Sequence, residues 1–264
     1  MPDILLDGLP VIDLLEITPN TTAVAQWTQR DQSSVSRIYR QVSNRLGLHF
    51  GKQRDGLYRA GANQALLDGL RQSSQWLRLH QQPSELRWVG HPGNGPLQRG
   101  EPPVLPPALE RHWVGGQRTA ALLEQRVLDL AVVEAAERPP AGGPLTAVPL
   151  VRYRLLLAAD PHHPLQGMGP LSAEQLLAYP LVQDPETPGP RPNPLFCLSP
   201  LRLQALQRVR PLEPLPWTSQ RSGSDVILVR TELLSCAAID QLIQAIRAGY
   251  RRHFEALPGL DWSG

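Results

Sequence analysis

Residues 20–61 read NTTAVAQWTQRDQSSVSRIYRQVSNRLGLHFGKQRDGLYRAG. A short apolar-periodic segment (Ala23, Val24, Trp27) follows Asn20, Thr21 and Thr22, any of which can cap a helix. Gln29-Arg30-Asp31 is a tight connection, with Asp31 placed as the N-cap of a second helix. That helix sets Val35, Tyr39, Val42 and Leu46 on one face and turns Ser33, Ser36, Arg37, Arg40 and Asn44 to solvent, and Gly47 ends it. Two short helices with a tight turn, the second polar and basic outward, describe a helix-turn-helix. Leu48-His49-Phe50 then reads as a short strand, residues 52–56 as a turn and Leu57-Tyr58-Arg59 as a return strand. This is a winged variant, with Lys52 and Arg54 placed to reach phosphate or the minor groove.

By pattern alone an ordinary helical hairpin with a solvated charged face fits equally well. The charge distribution favours a polyanionic partner. Residues 20–80 hold nine basic residues against three acidic ones, residues 1–19 carry four acidic residues and no basic one, and residues 81–264 balance at 17 of each sign. The positive charge therefore lies where the groove-binding element is expected.

Asp31-Gln-Ser-Ser-Val-Ser-Arg37, then Leu46-Gly47, then Leu57-Tyr-Arg-Ala-Gly61 together resemble the N-terminal domain of a LysR-type transcriptional regulator. Family members show a Ser-Gln-x-x-hydrophobic-Ser-Arg recognition helix, a Leu-Gly at its end and a Leu-Thr-x-Ala-Gly entry to a long linker helix. The spacing between the three landmarks matches without a gap. Asp31 departs from the usual Ser, Tyr58 from the usual Thr, and Tyr39 replaces a usual aliphatic residue. The resemblance implies base readout by Gln32, Ser33 and Ser36, with Arg37 on bases or phosphate and Arg54 reaching from the wing. Lys52 and Arg40 would anchor phosphates. It also implies double-stranded DNA as partner, a homodimer or homotetramer, a small-molecule effector and a contact with RNA polymerase.

The 264 residues suffice for two or three small domains. No apolar run approaches the ~20 residues of a membrane span, and the acidic, proline-containing start lacks the pattern of a secretion signal. A cytoplasmic protein with no membrane contact is expected. Cys197 and Cys236 are too few for a disulfide framework, and reduced thiols are expected.

Residues 3–16 read as a first helix buttressing the helix-turn-helix, with Leu5, Leu9, Ile12 and Leu15 as core. Residues 61–80 read as a long helix with Ala62, Leu66, Leu70 and Leu77 on one stripe and Ala65, Trp76 and Leu79 beside it. In the resembling family it dimerises antiparallel; packing against the chain's own C-terminal domain is the alternative. A strand at 85–91, a Pro/Gly-rich loop at 92–107, a helix from Pro106, a strand at Trp113-Val114, a helix from Gln117 to Leu128 and a strand from Asp129 to Glu134 suggest a parallel αβ layer. Leu145 to Ala159 reads as two strands, Leu171 to Leu176 as a helix capped by Ser172, Arg202 to Val209 as a short helix, Asp225 to Val229 as a strand and Thr231 to Glu255 as a segment carrying a last helix. Helix–Asp129-Leu-Ala-Val-Val133 resembles the end of the first lobe of the family's effector domain, and His163-Pro-Leu165 before a helix resembles the second.

The expected architecture is α/β: a winged helix-turn-helix over residues 1–60, a linker and dimerisation helix over 61–82, and an abbreviated, two-lobed, periplasmic-binding-protein-like αβ domain over 84–264. Lobe I takes about 84–146 plus 224–257 and lobe II about 147–216. Effector contacts are expected at Asn94, in a Gly-Asn-Gly turn whose pattern by itself favours a plain turn over an anion site, and at Gln117. Adjacent His162 and His163 diverge on a regular element, so no metal site is expected. Ser222-Gly-Ser-Asp225 reads as a loop and cap rather than a nucleophile with a base, and no enzyme and no cofactor are expected. Two further readings remain: a DNA-binding protein that needs no effector, since a glycine-rich helix start of the second lobe is missing, and an interaction adaptor with a degenerate ligand cleft.

Overall fold

Asp3 accepts from the Leu5 and Leu6 amides and opens a π-helical turn, Ile4–Gly8, which runs on into α1, Leu9–Ile17. Pro10 lies in the first turn of α1, where no amide donor is needed. Every residue from Val11 to Ile17 is buried, Asp13 and Glu16 included. A helix enclosed on all sides is a core element. The structure, a computed structural model, describes residues 3–54, 56–90, 116–140, 142–182, 193–207 and 210–262.

Two capped helices follow. The Asn20 side chain accepts from the Thr22 and Ala23 amides to start α2, Thr21–Trp27, and Asp31 accepts from the Ser34 amide to start α3, Gln32–Leu46. Gly47, left-handed at φ 60°, closes α3. Val35, Ile38 and Val42 of α3 are buried, with Tyr39 and Leu46 half-buried. An antiparallel ribbon of β1, Gly51–Lys52, and β2, Tyr58–Arg59, comes next.

Leu48–Phe50, expected as a strand, makes no ladder. His49 has φ 48°, the Leu48 carbonyl accepts from the Gly61 and Ala62 amides, and the Phe50 amide donates to Ser43 Oγ. The apolar alternation is real, since Leu48 and Phe50 are buried, but it serves a corner rather than a strand. Helix α4 spans Gln64–His80 and starts three residues after Gly61, because Asn63 takes a left-handed conformation and its side chain donates to the Leu46 and Gly47 carbonyls.

The remaining chain builds a mixed sheet. Its strands are β3, Trp88–Val89; β4, Leu130–Glu134; β5, Leu145–Ala159; β6, Leu181–Val182; β7, Leu195–Leu198; β8, Glu213–Arg230; and β9, Leu260–Trp262. They lie in the order β3-β4-β8-β5-β7-β6, with β9 added beside β5. The β3–β4 and β6–β7 pairs are parallel, and β8 runs antiparallel between β4 and β5. Helices α5, Gly116–Glu124; α6, Ala173–Leu177; α7, Pro200–Leu206; and α8, Ala237–Phe254, cover it. Helix α5 stops short of Leu128, at a turn where Arg126 has φ 60°. The strand expected at Trp113-Val114 and the helix from Pro106 lie outside the described residues.

Two expectations fail in the centre of the sheet. Residues 145–159 form one strand, not two: Pro149, which cannot donate to a ladder, sits at a register shift opposite Val226 instead of ending the strand. Ser222-Gly-Ser-Asp225, read as a loop, lies inside the 18-residue β8. Gly223 serves close packing there, since a Cβ would come within 2.5 Å of Tyr153 Cε2.

The sheet places two cores back to back. Trp88, Leu130, Val132, Ile227 and Val229 pack with Ile239, Leu242, Ile246 and Tyr250 of α8. On the opposite face Val89, Ala131, Val133 and Leu228 share one core with Leu122 of α5 and with Leu9, Ile12, Val42 and Leu67 from the N-terminal helices. The other end of β5, with β7, α6 and α7, has separate small cores around Leu157 and Leu195 and around Phe196 and Leu203.

Candidate nucleic-acid interface

Helix α3 turns its apolar stripe to the core and leaves Gln32, Ser33, Arg37 and Arg40 exposed, with Ser36 half-buried. Lys52 and Arg54 are exposed on the ribbon. The ribbon is held to α3 by an aromatic cluster. Tyr39 meets Tyr58 edge-on at 5.6 Å, and Phe50 stacks on Tyr58 at 5.8 Å. Burial pushes the Tyr58 phenol up. Arg40 lies over the Tyr39 ring at 5.8 Å and donates to its hydroxyl at 3.4 Å, so its guanidinium stays near the helix surface. The seven candidate DNA-contacting residues therefore stand on two elements packed against each other.

The start of α3 is cross-linked. Asp31 accepts from the Ser33 hydroxyl at 2.5 Å, from the Ser34 amide at 2.7 Å and from the Ser34 hydroxyl at 2.7 Å. These hydrogen bonds, the one from Ser33 foremost, hold its carboxyl well below the usual carboxylate range. Arg37 Nη2 donates to Ser34 Oγ at 3.3 Å, and Gln32 Nε2 donates to Thr21 Oγ1 at 2.7 Å. Arg30 pairs with Asp7, tying the α2–α3 turn to the N-terminal turn. Ser34 as an anchor for Arg37 is not among the residues expected from sequence, although its i, i+3 spacing is visible there.

Helix α4 joins this unit to the sheet through buried charge. Arg71 Nε donates to Asp13 at 2.8 Å and its Nη2 pairs with Glu16 at 3.0 Å. Arg87, just before β3, reaches the other Asp13 oxygen at 2.5 Å, and Arg118 of α5 donates to the Glu16 carbonyl at 2.6 Å. Burial alone would raise the Asp13 carboxyl, but the charges of Arg71 and Arg87 outweigh it and hold Asp13 low. For Glu16 burial wins, and its carboxyl is raised. The face of α4 opposite this lattice leaves Leu66 and Trp76 about half exposed, with Trp76 stacked on His80 at 4.8 Å.

Where β5 and β8 pass from one end of the sheet to the other, the buried Tyr153 hydroxyl donates to Asp225 Oδ1 at 2.7 Å. Arg202 of α7 pairs with Glu134 of β4 at 3.7 Å. Of the expected effector contacts, Gln117 falls in the first turn of α5 and Asn94 lies outside the described residues. Among the described residues no group of His, Cys, Asp and Glu side chains could hold a metal, and Cys197 and Cys236 are free thiols. His163 is buried, with Nδ1 accepting from the Leu165 amide and Nε2 against the Asn193 carbonyl, which makes it a turn-forming residue. Among the described residues no helix is long and apolar enough to cross a membrane.

Residues 84–211 match the family model of the LysR substrate binding domain. The resemblance to LysR-type regulators read from the N-terminal motifs therefore meets an independent match in the C-terminal part of the chain. Solved structures share the fold across both parts. A full-length AphB variant superposes with a TM-score of 0.53 at 12% identity, covering 92% of this chain and 98% of that one. A protein described as a probable transcriptional regulator, PA0477 from Pseudomonas aeruginosa, gives 0.52 at 15% identity, covering 90% and 94%. A full-length OxyR variant from Pseudomonas aeruginosa gives 0.50 at 15% identity, covering 91% and 96%. Comparison with curated protein sequences returned no match. The sheet is thus a periplasmic-binding-protein-like regulatory domain of the LysR kind, as expected from the sequence for that part of the chain.

Proposed function

We propose that the chain is a sequence-specific, DNA-binding transcriptional regulator of the LysR type, with a winged helix-turn-helix over residues 1–60, a linker helix over 61–82 and an effector-binding-like domain over 84–264. The observation that carries this reading is the exposed face of α3, where Gln32, Ser33, Arg37 and Arg40 stand clear of a buried Val35-Ile38-Val42 stripe, on a chain whose C-terminal part is a LysR substrate-binding domain. The second helix of such a unit enters the major groove, and Lys52 and Arg54 meet phosphate or the minor groove. The half-exposed Leu66 and Trp76 of α4 give a second copy an apolar seam, so the regulator acts as a dimer or a pair of dimers. It works in the cytoplasm, and contact with RNA polymerase follows from its class.

Selection of genomic fragments by the purified protein at two salt concentrations tests the reading. An interrupted inverted repeat is expected, with the salt slope of affinity near 0.9 per phosphate contacted. Arg37→Ala should weaken binding strongly; undiminished affinity would remove the assignment of α3.

A second reading drops the effector. It is favoured by the sequence of the second lobe, in which the glycine-rich helix start of the resembling family is missing. A small molecule that raises the melting temperature in a ligand screen would refute it.

A further inference from the structure

Asp31 fixes the hydrogen-bonding character of Ser33. An ionised carboxylate only accepts hydrogen bonds, so the contact between Ser33 Oγ and Asp31 Oδ1 at 2.5 Å holds the hydroxyl hydrogen of Ser33 on Asp31. The same argument places the Ser34 hydroxyl hydrogen on Asp31 Oδ2, at 2.7 Å. A free serine hydroxyl rotates and can donate or accept, which makes it a poor discriminator. Ser33 is exposed on the outer face of α3, and with its hydrogen engaged it presents only lone pairs. In the major groove the partners of an acceptor are the amino groups, adenine N6 and cytosine N4; guanine and thymine present acceptors at the equivalent edge. Ser34 is engaged in another way, since its Oγ accepts from Arg37 Nη2 and so belongs to the anchoring of that arginine.

We infer that Asp31 is a specificity-determining residue: by holding the Ser33 hydroxyl hydrogen it turns Ser33 into an acceptor that selects amino bases, adenine or cytosine, on the strand it faces. This rests on the DNA-binding reading of α3. Asp31 itself contacts no base; it acts through Ser33. Its carboxylate, with three donors already on it, is partly neutralised by the helix it caps, which limits the repulsion of nearby phosphates.

The test is selection from random duplexes by the full-length protein and by Ser33→Ala, Asp31→Ser and Asp31→Ala. The position facing Ser33 is the one whose preference is lost in Ser33→Ala. The wild-type protein should prefer adenine or cytosine there by roughly fivefold or more. Asp31→Ser keeps an N-cap, because its single oxygen can take the Ser34 amide, but it releases the Ser33 hydroxyl. The amino-base preference should then fall to parity while the rest of the motif persists, and melting of Asp31→Ser close to wild type certifies the fold. Asp31→Ala should relax the same position even if it melts lower. A wild-type preference for guanine or thymine at that position, or an amino-base preference unchanged in Asp31→Ser, would overturn the inference while leaving DNA binding intact. Enrichment of no motif by any variant would overturn the DNA-binding reading and this inference with it.

Discussion

Arg78 of α4 donates through Nε and Nη2 to the two oxygens of Asp129, each at 2.9 Å, with both side chains buried. Asp129 also accepts from the Arg87 amide and from Gln75 Nε2, both at 2.9 Å, so its carboxylate is fully engaged. Together with Arg71, two turns earlier on α4 and paired with Asp13 of α1, this pair makes the helix a rivet between the N-terminal unit and the sheet. The apolar stripe of the helix suggests a face for a second copy. Helix α4 also packs on its own chain, through a largely polar face, Arg71, Ser74, Gln75 and Arg78, and keeps part of the stripe outside.

Replacing Asp129 by Asn leaves Arg78 buried without its counter-charge. A loss of about 3–5 kcal/mol is expected, as for other buried pairs with one partner removed. Urea unfolding of Asp129→Asn checks it, and a midpoint equal to wild type would mean that the pair contributes nothing.

Glu16 and Asp13 should respond to pH in opposite senses. The Glu16 carboxyl is raised in the folded chain, so between its unfolded value of about 4.3 and its folded value the native state holds a proton that the unfolded state has released. Its contribution to stability therefore falls as pH rises through that window. Glu16→Gln removes the effect, and its stability relative to wild type should improve from pH 4 to pH 7. The Asp13 carboxyl is lowered, so its contribution is complete above about 3.9 and is lost as pH falls through its folded value. Asp13→Asn should accordingly cost most at neutral pH. Unfolding curves at pH 4 and pH 7 decide for Glu16, and curves at pH 7 and at about pH 2.5, below the unfolded Asp value, decide for Asp13; parallel shifts in both variants would contradict the assigned directions.

Gly223→Ala forces a methyl group against the Tyr153 ring, whose Cε2 lies 2.5 Å from where that Cβ would sit. The ring has to move, and with it the hydroxyl that donates to Asp225. A cost of about 1–3 kcal/mol is expected from this overpacking. Thermal unfolding would show it as a lowered midpoint; an unshifted midpoint would mean that β5 and β8 separate easily at this point.

Trp76→Glu puts a charge on the half-exposed face of α4 without touching its buried side. If that face is the seam between two copies, the variant should run as a monomer in size-exclusion chromatography with light scattering, and its folded spectrum should stay that of wild type. A variant that remains dimeric would move the interface elsewhere.

Local chemistry is legible in the sequence. Asn20, Asp31, Ser172 and Gly47 cap or close helices where their side chains or backbone freedom say they should, because a cap is decided by the few residues around it. The Val35–Val42 stripe likewise faces inward, although Ile38, buried between them, is not among the residues expected there. Longer-range features are not legible. Pro149 and Ser222–Asp225 look like breaks, and only the pairing of β5 with β8 along nearly their whole length absorbs them into continuous strands. Arg71 and Arg78 count in the sequence toward the basic stretch of residues 20–80, and nothing there singles out Arg87, yet all three are buried. Their burial depends on Asp13 and Asp129, which lie far away in sequence and become partners only when the helices dock on the sheet. The sequence by itself determined where helices begin and end and which face of α3 is polar, since those follow from neighbours within a turn or two. The tertiary structure alone decided which charges are buried and which face of α4 is left open, because desolvating an arginine is tolerable only where a distant carboxylate arrives to meet it.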